Sequence, residues 1–492
     1  MGPLVLNNDI KSIDDSDRQA YLYTVMPFHI MPSAKGSLFG YVNHEGHSQD
    51  QLFDYAKELE KRIQPLSYDN STLPGDLTKY YDFMQHHYGS IDENKGLSVF
   101  KINRDLLKPT VGFEKFKNAN AQFQPGALLG QSSIRVEMDT FNFVVNSLSG
   151  IGFFICNLHC YSTTEDSIVQ ELTRSEFFRN IGWRRNQPLK STQLLKHAFI
   201  FNSEKESFMT FHDLLECYFS GLSDLIHFYQ DRPTVLYCTT SMSTGSKSDT
   251  ELCEISYEVI RVPDRNAGRF LQSFTEPSIH RIGGNVVFTA LNEGAIVVES
   301  ANNSGGCKNV ANKYFPAFIF ALNQREVLLN TMQQITMLDS VKLRKLDGDI
   351  FNKMENLRKG LLVLQLKQIF YTVSNLHEVE LFFNQLQRVF AVEKMLMENE
   401  QCIREMFNLL EVKRNEEVAK FDKENTALEE ERSKIINTIL GAIGCLGLFS
   451  FLKDLWPFIQ DSQYALFYKL ISVLLPGFVM IWLVWYMAGK KK

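Results

Sequence analysis

Cys156, His159 and Cys160 stand close enough in the chain to suggest a metal site. Zinc requires four ligands in a tetrahedral array, which structural sites draw from spaced pairs. No second cysteine pair follows nearby, and on a strand Cys156 and Cys160 share one face while His159 takes the other. The three read as buried core residues. His86 and His87 are isolated, as is the His44/His47 pair in the Gly-containing stretch His44-Glu45-Gly46-His47. No metal site is expected. The chain has no G-x-x-x-x-G-K-[ST] phosphate cradle, no H-E-x-x-H and no G-x-S-x-G, so no catalytic residues are assigned and the protein is not expected to be an enzyme. Recognition is the work left to it. A phosphate-bearing ligand with a base needs charge-assisted donors beside a stacking surface. Trp183, Arg184, Arg185 and Asn186 are the densest such group, and Asn302 with Asn303 is another. Ordinary surface solvation accounts for the same residue types equally well.

These groups have to be placed by a long chain. Its 492 residues, 44% hydrophobic and with net charge −6, call for two or three units. The mildly acidic balance gives no reason to expect direct nucleic-acid binding. Eight cysteines without framework spacing read as reduced thiols. Residues 1–18 lack a basic and apolar signal core and read as a disordered N-terminus. Residues 19–306 read as a mixed α/β sensor domain. Ala20 to Ile30, Leu97 to Ile102, Ser133 to Phe143 and Ile151 to Cys160 have strand patterning. Gln49 to Ile63 has helical spacing. Asn292-Glu293-Gly294 marks a hairpin turn.

The character changes after about residue 307. Between Pro316 and Pro457 there is no proline, and between Gly360 and Gly441 no glycine, which predicts long helices. Residues 307–434 read as a stalk whose last helix starts near Leu376 and runs on without a stop. Leu396, Ile403, Phe407, Leu410, Phe421, Leu428 and Ile435 recur near a 3-4 alternation, with Arg414, Asn425 and Arg432 on the same seam. A seam interrupted in this way suits a bundle of identical subunits. Two uncharged runs follow, 435–452 and 470–488, each close to the roughly 20 residues a membrane-crossing helix needs. Trp456, Tyr464, Tyr468, Trp485 and Tyr486 lie at or near their ends, and Lys490 to Lys492 close the chain. The expectation is a transmembrane hairpin over 435–488, with both termini cytosolic by the positive-inside count. Asn437, Gly441, Gly444 and Leu448 share one helical stripe, a pore lining or a packing seam. Asp454 and Asp461 would then sit at the outer mouth.

This order, a cytosolic α/β domain, long helices and a C-terminal two-helix transmembrane hairpin, resembles the CorA-like metal-ion transporter superfamily. The resemblance implies a homo-oligomer, a pentamer, in the lipid bilayer of the inner (plasma) membrane. That family carries Gly-Met-Asn at the outer end of its first membrane helix, where this chain reads Leu455-Trp456-Pro457-Phe458. Gly150-Ile151-Gly152-Phe153-Phe154 and Asn292-Glu293-Gly294-Ala295 resemble a divergent branch, the CorA-like proteins associated with type III CRISPR systems. In that branch the cytosolic domain is taken to sense a nucleotide second messenger, a conjugate of S-adenosylmethionine and AMP, and the membrane part to be the antiviral effector. The function implied is a ligand-gated channel effector. A divalent-cation (Mg²⁺) transporter and a membrane-tethered scaffold are the alternatives.

Overall fold

The computed structural model describes residues 19–30, 39–40, 49–69, 79–81, 88–89, 97–102, 134–162, 199–202, 207–209, 218–229, 235–242, 251, 279–282, 286–292, 294–300, 306–336 and 348–459, with isolated positions from 466 to 485. The chain divides into two compact units, Met1–Phe407 and Asn408–Lys492.

The first unit is built on a 12-stranded mixed sheet. At its centre lies β1 (Gln19–Ile30), antiparallel to β7 (Ile151–Ser162) on one side and to β11 (Val235–Met242) on the other. Beyond β7 come β6 (Ile134–Asn146) and β5 (Leu97–Ile102); beyond β11 come β14 (Gly294–Ser300) and β13 (Val286–Leu291). A short strand, β10 (Ile226–Tyr229), pairs with the end of β1, Phe28 opposite Phe228 and His29 opposite His227, and with β2 (Phe39–Gly40). β3 (Ser67–Asp69) and β4 (Tyr88–Gly89) pair with β5, β12 (Ile279–Ile282) pairs with β13, and β8 (Phe199–Asn202) with β9 (Ser207–Met209) forms a separate two-stranded sheet.

The strands are apolar at nearly every position because both faces are covered. On one face Leu22, Phe28, Phe143, Phe154, Cys156 and Cys160 meet Ala56, Leu59 and Ile63 of α1 (Gln49–Ile63). On the other, Tyr23, Val25, Phe153, Ile155 and Val297 meet Phe315, Phe318 and Leu322 of α2 (Gly306–Thr336) and Phe382 of α4 (His377–Val389). Between those two helices in sequence comes α3 (Gly348–Lys367). The helices that open the 307–434 stretch thus share a core with the sheet.

Two helix irregularities have local causes. Pro316 sits inside α2. The Tyr80 hydroxyl donates to the Lys313 carbonyl at 2.8 Å and accepts from the Ala317 N–H at 3.0 Å. A phenol from outside the helix thus stands in where the regular ladder is disturbed. The expected uninterrupted helix from Leu376 is corrected as well. α4 ends at Val389, and Ala391 takes a left-handed φ of 53° before α5 (Val392–Ile459) begins. No glycine or proline announces this break.

The membrane expectation is overturned. No helix among the described residues is long and apolar enough to cross a membrane. The 435–452 run is not a helix of its own. It lies in the last part of the 68-residue α5, continuous with the charged stretch before it and with Lys453 and Asp454 after it. Residues 470–488 fall largely outside the described residues. The transmembrane hairpin, the bilayer as partner, the multi-pass inner-membrane placement with cytosolic ends, and the description as an ion channel are therefore withdrawn.

Candidate functional site: a buried polar junction

The residues most unlike their surroundings are Asn323, Gln324, Arg325 and Glu326, a polar run between the apolar stretches Phe315–Leu322 and Val327–Leu329 of α2. All four are buried, Glu326 completely. Burying such groups is costly unless each finds a partner. Their partners come from four other parts of the first unit.

Asn146 closes β6 and caps the turn into β7, its Oδ1 accepting from the N–H groups of Leu148 and Ser149 at 3.1 and 3.2 Å. Its Nδ2 donates to Asn323 Oδ1 at 2.9 Å and to Gln368 Oε1 at 2.8 Å, and Gln368 Nε2 donates back to Asn146 Oδ1 at 2.8 Å. Gln324 Nε2 donates to the carbonyls of Gln368 and Phe370 at 3.0 and 3.2 Å. Gln387, on α4, donates to Gln324 Oε1 at 2.8 Å and to the Phe370 carbonyl at 2.7 Å. Arg325 Nη1 donates to the carbonyl of Asn292 in the β13–β14 turn at 2.7 Å. Its guanidinium also pairs with Glu326 at 3.1 Å and lies over the Phe390 ring, 4.9 Å from the centroid. One turn further on, Asn399 of α5 donates to the Leu328 carbonyl at 3.0 Å.

The turn that precedes one of the stretches carrying the resemblance, and the first residue of the other, meet α2 here. Asn146 leads into the Gly150–Phe154 stretch and bonds Asn323. Asn292 opens the other stretch and bonds Arg325. Their glycines are packing positions: a Cβ on Gly152 would lie 2.2 Å from the Phe28 ring, and one on Gly294 would lie 2.0 Å from the Leu236 carbonyl oxygen. Neither glycine is therefore needed to admit a ligand.

The junction holds amides and one ion pair, with no nucleophile. It fixes the relative positions of two turns and three helices. Two thiols of the sheet core, those of Cys160 and Cys238, are inert. Cys156 and Cys160 lie in the core while His159 stacks on Tyr21 at 4.2 Å from the other face. Burial pushes the Cys160 thiol up, and does the same to Cys238, so neither offers a thiolate. No cluster of three or more His, Cys, Asp or Glu suited to a metal occurs among the described residues.

Trp183, Arg184, Arg185, Asn186, Asn302, Asn303 and Asp461 lie outside the described residues. Asn437, Gly441, Gly444, Leu448 and Asp454 lie on α5, all exposed. At 100° per residue the Asn437–Leu448 stripe points roughly opposite to Ile435, Ile439 and Leu446. The two cannot face one common axis. The junction itself was missed from sequence. The signal available was Asn323-Gln324-Arg325-Glu326, four polar residues in a row within Phe315 to Leu329.

No protein-family model, no curated protein and no solved structure matches the chain.

Proposed function

We propose that the protein is a ligand-responsive effector without catalysis of its own. Its sheet domain receives a phosphate-bearing nucleotide signal, the buried junction passes the change to α4 and α5, and α5 joins copies of the chain into a homo-oligomer. The observation that carries this reading is that the Asn146 and Asn292 turns both bond the same turn of α2, at Asn323 and Arg325. The same run of α2 is bonded to Gln387 of α4, and Leu328 just beyond it to Asn399 of α5. Bonds that link both turns and three helices through one run of α2 are what a two-state element needs.

The nucleotide, of the S-adenosylmethionine–AMP type, and a place in type III CRISPR antiviral defence are supported by the resemblance of the 150–154 and 292–295 stretches. A pentamer is supported on the same ground. Trp183, Arg184 and Arg185 are the first candidates for the contact, since paired guanidiniums beside an indole supply donors and a stacking face. A panel of adenine nucleotides, including that conjugate, is titrated into the full chain by calorimetry. Binding that disappears in Arg184→Ala/Arg185→Ala, with oligomer mass unchanged, is expected. Absence of binding by every member refutes the reading, and undiminished binding in the double variant removes the arginines from it. In Gln324→Leu the nucleotide still binds but no longer alters hydrogen exchange in the first turns of α5.

A further inference from the structure

We infer that the 418–446 face of α5 receives a second copy of this chain, parallel and in register, and that the carboxylates flanking this face hold the association back. The inference rests on the self-association proposed above and adds its orientation and its control. Val418, Asn425, Arg432, Ile439 and Leu446 recur every seven residues, and Phe421, Leu428, Ile435 and Ala442 follow the first four of them by three. These are the two core positions of a heptad seam. Within one chain the seam is uncovered: Val418 is 51% exposed, Phe421 63%, Leu428 56%, Ile435 59%, Ile439 53% and Leu446 69%.

The two polar seam residues say what covers it. An amide at a core position is satisfied by an amide at the same level, and a parallel, in-register copy supplies that for Asn425. The same alignment brings Arg432 level with Arg432 of the second copy, and each guanidinium turns from its counterpart to Glu431 of the other chain at the edge of the seam. A shifted or reversed helix loses both matches.

The flanks oppose this. Parallel alignment puts Glu424 of each chain against Glu429 of the other, and Glu417 against Asp422. Like charges at these positions weaken pairing, and salt relieves them. The seam therefore drives assembly while its edges restrain it, and assembly strengthens with ionic strength.

The test uses the full chain. Glu429→Lys turns the repulsive Glu424–Glu429 pairs between neighbouring copies into attractive ones and tightens association about tenfold at low salt. Glu430→Lys makes the same charge change on the outward face and stays within about twofold of the wild type. In a Cys445→Ser background, Leu428→Cys and Ile435→Cys each form inter-chain disulfides on mild oxidation, because two positions one heptad apart both meet their own counterparts only in a parallel pair. Cross-linking at neither or only one of them, or equal effects of the two lysine substitutions, overturns the inference while leaving self-association standing. A wild-type chain with the mass of one subunit at every concentration and salt overturns both, and capture of a heterologous basic helix by that single subunit would mark the seam as a site for another partner.

Discussion

Asn146→Leu is the sharpest test of the junction. The substitution keeps the number of heavy atoms in a side chain that is fully buried and removes every hydrogen bond that side chain makes. Asn323 Oδ1 and both ends of the Gln368 amide lose a partner at once, and the N–H groups of Leu148 and Ser149 lose their cap. A buried group left unsatisfied costs about 1–3 kcal/mol, and three side-chain groups are stranded with little room to turn toward water. Allowing for relaxation, the loss should be about 4 kcal/mol, near a thousandfold in an opening equilibrium. Native-state hydrogen exchange of β6 and β7 reads this, since both strands lie inside the sheet with neighbours on either side. Gln368→Leu should cost a similar amount. The double variant should cost less than the sum by at least ~2 kcal/mol, because both halves of the amide pair then leave together. A loss below ~1 kcal/mol in Asn146→Leu, or additive single variants, would refute the claim that these amides act as one unit.

Two further outcomes follow from local geometry. Tyr80→Phe removes the hydroxyl between the Lys313 carbonyl and the Ala317 N–H and should cost about 1–2 kcal/mol, read as faster exchange in the middle of α2; unchanged exchange there would mean that the helix needs no bridge at Pro316. The hydrogen bond from Lys313 holds the Glu378 carboxyl below its usual range, so the pair contributes stability at neutral pH that is lost as pH falls through that lowered value. Glu378→Gln should be less stable than the wild type at pH 7, and the two denaturation curves should converge well below about pH 4; a difference that persists in acid would assign the effect to something other than charge.

Several strands of the first unit are legible because their information is local. β1, β5, β7 and α1 lie where alternation and helical spacing place them, and the β13–β14 turn falls at Asn292. The break at Ala391 is not legible, since a left-handed alanine costs only about 1–2 kcal/mol and surrounding packing decides it without any change of residue type. The junction escapes for a different reason. Asn146 and Gln368 are 222 positions apart, and nothing in either neighbourhood indicates that they pair. Gln324 by itself looks like the outer face of an amphipathic helix, and only the apolar residues on all sides of α2 show that such a face would be buried.

The apolar end of α5 illustrates how a composition rule depends on the element to which it is applied. Read as an isolated run, 435–452 has the length and apolarity of a span. Within α5 it continues the register set at Val418 and Phe421. Ile435, Ile439 and Leu446 then extend a seam whose earlier levels hold Asn425 and Arg432, and the small residues Gly441 and Gly444 fall on the far side. A helix that placed the Gly stripe at a common axis would turn Phe421, Leu428 and Ile435 outward. One that buries the seam leaves the glycines outside. The two arrangements exclude each other, and the paired cysteines at 428 and 435 distinguish them. Disulfides there require the seam to be the contact, whereas efficient inter-chain linkage through Gly441→Cys and Gly444→Cys, with none at 428 or 435, would require the reverse.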